Sequence, residues 1–216
     1  MKSVPHFSGL SLADLDSITH LVFEKTAERG ETILLEDEPA EALYFVASGV
    51  VKLVKTSAEG KEQILKIVRP GESFDDVSIF DSGPSIAGAQ AMGPVVLYGI
   101  RRGDMEAIVR DFPQVALNIN KVLAAQVRHM VSLVEDLSFR HVAARVAKIL
   151  LEHAGQPLGS GPRLSQQDMA AMAGTAREMV GRSLKALEEE RAIRFDRHRI
   201  VITDKEALQE LAAASS

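Results

Sequence analysis

"LSQQDMAAMAGTAREMVGRSLKALEEERAIRFDRHRIVIT", residues 164–203, places one glycine between two helical patterns and ends in two short apolar runs. Ser165 with Asp168 three residues on is the signature of a capping box, so a helix is predicted to begin there. Gly174 suits a tight turn, and Thr175 is predicted to cap a second helix. Helix, short glycine-containing turn, helix is the plan of a helix-turn-helix, whose second helix enters the major groove of DNA. On that helix Val180, Leu184 and Leu187 recur at i, i+4 and i+7 and are predicted to face a core. Arg177, Glu178, Gly181 and Arg182 share the opposite side. An arginine donates bidentately to guanine O6 and N7 and a glutamate accepts from cytosine N4, so the charged trio suits adjacent G·C pairs, with Gly181 leaving room for close approach. The same residues have an ordinary helical use: Thr175 and Glu178 fit a capping box, and Glu178 with Arg182 an i, i+4 ion pair. The two uses are compatible. Residues 191–203, "RAIRFDRHRIVIT", read as two strands around a basic turn, suited to a wing over phosphates.

Upstream lies "FRHVAARVAKILLEHAG" (139–155), a second amphipathic helix stopped at Gly155, followed by the Gly/Pro-rich connection "GQPLGSGPR" (155–163). Pro113 suits the first turn of a long helix running to about residue 137 without internal Gly or Pro. Its stripe of Ile119, Leu123, Met130, Leu133 and Leu137, with Val122, Val127 and Val134 beside it, is interrupted by Gln126. Such a stripe suits either its own copy in a dimer or the rest of the chain. "GDMEAIVRDF" (103–112) reads as a short helix. From about 22 to 100, runs such as "ETILL", "LYFVASG", "VVKLVK", "EQILKIV", "SIAGAQA" and "VVLYGI" are separated by turn chemistry and predict a β-sandwich, barrel or roll. A first short helix is predicted after Ser11, with Asp14 completing a capping box.

Composition limits the chemistry. With no cysteine among 216 residues there is no disulfide, thiolate nucleophile or Cys-ligated metal. No apolar run is long enough to span a bilayer and the N-terminus lacks a signal-peptide core, so a cytoplasmic protein away from the membrane is the expectation. Net charge is −5, unevenly spread: residues 1–138 hold 13 Lys+Arg against 20 Asp+Glu, and 139–216 hold 12 against 10. The basic surplus falls on the part with the helix-turn-helix, which points to two tasks.

The order β-roll, long helix, winged helix-turn-helix resembles the catabolite-activator and fumarate-nitrate-regulator (CRP/FNR) family of bacterial transcription factors over essentially the whole chain. Residues 42–84, "ALYFVASGVVKLVKTSAEGKEQILKIVRPGESFDDVSIFDSGP", are similar to that family's effector domain, and 172–190, "MAGTAREMVGRSLKALEEE", to its recognition helix. The resemblance implies an α+β fold. A cyclic-nucleotide-binding-like β-roll (jelly roll) would occupy 1–111, a long dimerisation helix 112–137, and a winged helix-turn-helix 138–216. It implies a homodimer on an inverted repeat with TGTGA-like half-sites, working with RNA polymerase as activator or repressor. Base reading falls to Arg177, Glu178 and Arg182, which match the Arg-Glu-x-x-x-Arg pattern of the catabolite-activator branch. Phosphate contacts fall to Ser165, Gln167, Thr175 and Lys185, and dimer contacts to Ile119, Leu123, Met130, Leu133 and Leu137.

The effector positions depart from the pattern. Where cyclic-nucleotide members have Gly-Glu-Leu and then Arg-Ser or Arg-Thr, this chain has Asp75-Asp76-Val77 and Ser85-Ile86, so the phosphate clamp is missing and an added carboxylate repels an anion. Met130 and Val131 stand near the positions of base-touching hydroxyls. The effector is therefore expected to be an unknown small molecule other than cyclic AMP, its pocket drawn from Asp75, Asp76, Ser85, Ile86, Met130 and Val131; Asp75 and Asp76 also read as a solvated turn. Its binding is expected to reorient the C-terminal domains through a hinge near 136–139. No metal or cofactor is expected. A haem-bound gas sensor of the same fold is the alternative, with His6, His20 and His129 as candidate ligands, and a ligand-binding module without DNA function is another. An enzyme is not expected: there is no histidine between 21 and 128 for a cupin-type metal site, and no G-x-S-x-G elbow.

Overall fold

The computed structural model describes residues 4–154, 164–196 and 199–214. The predicted connection at 155–163, and Arg197 and His198 of the predicted basic turn, lie outside the described residues. The chain divides into two compact units, one built from residues up to 55 with 65–129, the other from 56–64 with 130 onward.

In the first unit a 3-10 turn, Pro5–Phe7, precedes α1 (Leu12–Thr19). The Ser11 capping box is formed: its Oγ accepts from the Asp14 N–H at 3.2 Å, and the Asp14 carboxylate accepts the Ser11 N–H at 3.1 Å. The strands follow as β1 (Val22–Ala27), β2 (Thr32–Leu34), β3 (Ala42–Ser48), β4 (Val51–Thr56), β5 (Glu62–Val68), β6 (Ser73–Phe74), β7 (Gly88–Ala91) and β8 (Val95–Arg101), with α2 (Asp76–Asp81) between β6 and β7. They make two four-stranded sheets, β1-β8-β3-β6 and β2-β7-β4-β5. Strand β3 explains why "LYFVASG" reads as an unbroken apolar run: both of its faces are covered. Ala42, Tyr44 and Val46 enter a core with Val51, Val68, Phe74, Ala89 and Leu97, whereas Leu43 and Phe45 enter a second core with Phe7, Ile79, Ile100, Met105, Ile108 and Val115. Gly99 on β8 is required by packing, because a Cβ there would sit 2.2 Å from the Phe23 ring on β1.

Helix α3 (Arg102–Asp111) and the long α4 (Pro113–Phe139) follow, the latter with Pro113 at its first position as predicted. In the second unit come α5 (Val142–Ala154), α6 (Gln166–Ala173), α7 (Arg177–Glu189), the antiparallel pair β9 (Ile193–Asp196) and β10 (Arg199–Ile202), and α8 (Lys205–Ala213). Val180, Leu184 and Leu187 are buried with Val146, Ala147, Leu150, Met169 and Leu208, so the i, i+4, i+7 stripe faces the core as read. Helix α8 has no counterpart in the sequence reading; it is capped by Asp204, whose Oδ1 accepts from the Ala207 N–H at 2.9 Å.

Three expectations need correction. Thr175 does not cap α7: its N–H bonds Ala170 O at 3.0 Å to close the turn after Gly174, leaving Ala176 as a cap without a side-chain bond. Ile119 is not available to a second copy, since it is 5% exposed within the core beneath α4, and Leu123 packs against that core. The predicted hinge residues 136–139 are helical; the break falls at Arg140–His141, after the end of α4. Asp136 helps hold that corner, with its Oδ1 2.8 Å from Arg140 Nε and its other oxygen bound by Lys148 Nζ.

Candidate nucleic-acid interface and effector site

The helix-turn-helix geometry arises from local chemistry. Ser165 Oγ accepts from the Asp168 N–H at 3.0 Å and the Asp168 carboxylate accepts the Ser165 N–H at 2.9 Å, fixing the start of α6. Gly174 ends α6 with φ of 61°, where a Cβ would also come within 2.7 Å of Leu137. Three residues separate α6 from α7. Glu178 and Arg182 are exposed on the side of α7 away from its buried stripe, Arg177 is exposed at the first residue of the helix, and none of the three is engaged in an ion pair with another described residue. The Glu178–Arg182 pair allowed by spacing is therefore not formed. Their charges are presented to solvent.

Around them, Ser165 and Gln167 are exposed and Thr175 half-buried, while Lys185 lies 3.8 Å from Glu189 with both ends in water, a pair of little energetic weight. Gly181 is half-buried, and a Cβ there would meet only Gln166 Oε1 at 4.0 Å. Arg194 and Arg199 on β9 and β10 add exposed positive charge to the wing.

In the first unit the structure brings Asp75 and Ser85 together, sends Asp76 to other partners, and turns Ile86 outward at 53% exposure. The two aspartates are not a solvated turn. Asp75 takes a left-handed φ of 67° where the family pattern has glycine, and its Oδ2 accepts from Ser85 Oγ at 3.0 Å. Burial pushes its carboxyl up from the ordinary range, with the Ser85 hydroxyl working the other way. Asp76, 2% exposed, opens α2 and points elsewhere. Its carboxylate is met by His6 Nε2 at 2.8 Å, Ser73 Oγ at 2.8 and 3.0 Å, and Gln126 Nε2 at 2.9 Å. Burial alone would raise its carboxyl, but the hydrogen bond and charge of His6, with Ser73 and Gln126, outweigh it and hold the group below its ordinary value. Asn118 fixes the histidine's own backbone, donating to His6 O at 3.1 Å and to Ser8 O at 2.8 Å.

Sequence reasoning missed this network. In the sequence Gln126 is only an interruption in an apolar stripe; in the fold its amide donates to the buried Asp76 carboxylate. Of the candidate haem ligands, His6 has its Nε2 engaged by Asp76, His129 Nε2 lies 2.9 Å from Leu65 O, and His20 ends α1 in solvent. Met130 and Val131 belong to the second unit, where Met130 is half-buried and Val131 exposed.

Residues 24–112 match the model of the cyclic nucleotide-binding domain, and 144–211 that of the Crp-like helix-turn-helix domain. Over 98% of both chains the protein is 34% identical to the cyclic AMP receptor protein of Thermus thermophilus. It is 31% identical to the CRP-like cAMP-activated global transcriptional regulator of Mycobacterium tuberculosis, over 94% of this chain and 93% of the relative. Among solved structures, FixK2 from Bradyrhizobium japonicum superposes with a TM-score of 0.79 at 29% identity, covering 90% of this chain and 99% of that one. No helix among the described residues is long and apolar enough to cross a membrane. With its roll followed by a long helix and a Crp-like helix-turn-helix, the chain belongs to the CRP/FNR family of DNA-binding transcription regulators and is a regulator rather than an enzyme.

Proposed function

We propose that the protein is a sequence-specific regulator that binds, as a homodimer, an inverted repeat with TGTGA-like half-sites. The observation that carries this reading is the exposed trio Arg177, Glu178 and Arg182, none paired with another described residue, the first at the start of α7 and the other two on the side away from its buried stripe. Placed in a major groove, the arginines donate to guanines and the glutamate accepts from a cytosine. Ser165, Gln167, Thr175 and Lys185 flank the trio and supply phosphate contacts, which orient without specifying sequence. The dimer face is the row of Leu117, Ala124, Val127, Val131 and Val134 on α4, exposed and spaced mostly by three and four residues. Leu137 lies nearer its edge, whereas Leu133 is on the side of α4 that carries Val115 and Ile119.

The effector is a small molecule other than cyclic AMP, although relatives are described as cAMP-activated. Asp75 and Ser85 stand in place of the family's glycine and arginine, and Asp76 already spends both oxygens on protein donors. An anionic cyclic phosphate would face carboxylates, and the nearby Arg102 guanidinium already donates to Ala40 O and Ser78 O. Action takes place in the cytoplasm with RNA polymerase as partner.

Selection of DNA from a random pool by the purified protein at fixed salt tests the first part. Enrichment of paired TGTGA-like halves supports it, and an unrelated or unpaired motif overturns it. Calorimetric titration with cyclic AMP tests the second: the expectation is no saturable heat.

A further inference from the structure

A cavity of about 590 Å³ lies wholly within the first unit, walled by the N-terminal turn, by β5 and β6, and by one face of α4. Neither Asp75 nor Ser85 lines it, so it is separate from the positions that replace the family's phosphate clamp. Its size is that of a small-molecule site. One part of the wall is apolar, from Pro5, Val122 and Ala125; the rest carries Lys66, Lys121 and His129. Glu72 is the single carboxylate residue of the lining and is paired with Lys66 at 3.2 Å. Lys121 has no ion-pair partner among the described residues. The wall also includes His6, 1% exposed, whose Nδ1 has no hydrogen-bond partner while its Nε2 holds Asp76. Lys121 is thus a cation with no ion-pair partner among the described residues, set beside an apolar floor, an arrangement that an anion with an apolar body would complete.

We propose that this cavity binds a small organic anion with one carboxylate or phosphate head and a short apolar body. Lys121 and Lys66 receive the head; Pro5, Val122 and Ala125 cover the body. The ligand touches the α4 face that also carries Gln126, one turn from Val122 and directly bonded to Asp76, so occupancy bears on the network that ties the N-terminal turn, α2 and α4 together. This rests on the reading of an effector-controlled regulator and gives the effector a place and a chemical class.

Isothermal titration of the full-length protein with hexanoate, hexyl phosphate and hexanol tests it without DNA, so failure here is distinct from failure of the DNA-binding reading. The three probes share one apolar body, and the better of the two anions identifies the head group. At least one anion is expected to bind saturably and on the order of tenfold more tightly than hexanol. Lys121→Glu, a change at an exposed position, is expected to weaken anion binding by on the order of tenfold or more and leave hexanol unaffected. Ala125→Phe, which sets a ring against the apolar part of the wall, is expected to weaken both by on the order of tenfold. Thermal melting of each variant establishes that it is folded. Absence of saturable heat from both anions at millimolar ligand overturns the proposal, as does anion binding that survives both substitutions in folded protein.

Discussion

His6 Nε2 lies 2.8 Å from Asp76 Oδ1, joining the N-terminal turn to the start of α2 in a place where both side chains are almost fully buried. Removing one member leaves the other with an unmet charge or hydrogen bond, at a cost of about 3 kcal/mol. His6→Ala is therefore expected to lower the urea midpoint of the first unit markedly. The pH dependence follows from the depressed Asp76 carboxyl. A carboxyl whose folded pKa lies below its unfolded value stabilises the protein fully above the unfolded value, near 3.9, and loses that contribution as pH falls through the folded value. Denaturation curves from neutral pH down to about 3 should show a steeper acid loss in the wild type than in Asp76→Asn. Equal slopes would mean that the network does not hold the carboxylate ionised.

Asp75 carries the opposite sign. Burial raises its carboxyl, so the folded state binds the proton more tightly than the unfolded chain, and stability falls as pH rises from the ordinary carboxyl range through the raised folded value. Asp75→Asn keeps a short polar side chain that tolerates the left-handed φ of 67° and keeps an acceptor for Ser85 Oγ while removing the charge. The variant is expected to be more stable than wild type at pH 7, by up to about 1 kcal/mol, and no more stable once the pH is below about 4. Thermal melts at the two pH values check it.

The difference between these two neighbours is a measure of what sequence conveys. Asp75 and Asp76 are adjacent and chemically identical, yet the left-handed turn at Asp75 sends one towards Ser85 and the other under the N-terminal turn. No periodicity records that. The partners of Asp76 come from positions 6, 73 and 126, and contacts so distant in sequence leave no local signal. The helix-turn-helix is more legible because its determinants are local: a capping box within four residues, a glycine at the turn, and an i, i+4, i+7 stripe. Even there Thr175 is misread by one residue, since its N–H is used by the turn. The α4 stripe shows the same limit from the other side. Sequence finds an apolar helix but not which flank its own chain covers, and Ile119 and Leu123 go inward while Val127, Val131 and Val134 stay out.

That division predicts separate outcomes on α4. Val131 is 55% exposed, so Val131→Glu should leave the monomer folded and put a charge into the proposed dimer seam. Sedimentation at micromolar protein is expected to show monomer, with an unchanged far-ultraviolet spectrum. Ile119→Ala removes a buried side chain instead, and should cost about 2–4 kcal/mol of stability with no direct effect on association. A Val131→Glu protein that remained dimeric would move the seam to another face.

On α7 the prediction turns on what each cation is free to meet. Arg182 is exposed and unpaired near the middle of the helix, on the side away from Val180 and Leu184, whereas Lys185 stands further along with Glu189 within 3.8 Å. If Arg182 reads a guanine, Arg182→Ala loses a bidentate contact worth about 1–3 kcal/mol and relaxes preference at one position of each half-site. If Lys185 meets a phosphate, Lys185→Ala weakens every sequence alike and lowers the salt slope by about one for each protomer that makes the contact. Binding measured against a set of single-base variants at several salt concentrations separates the two. Uniform weakening by Arg182→Ala would remove it from base reading and leave it, like Lys185, a backbone contact.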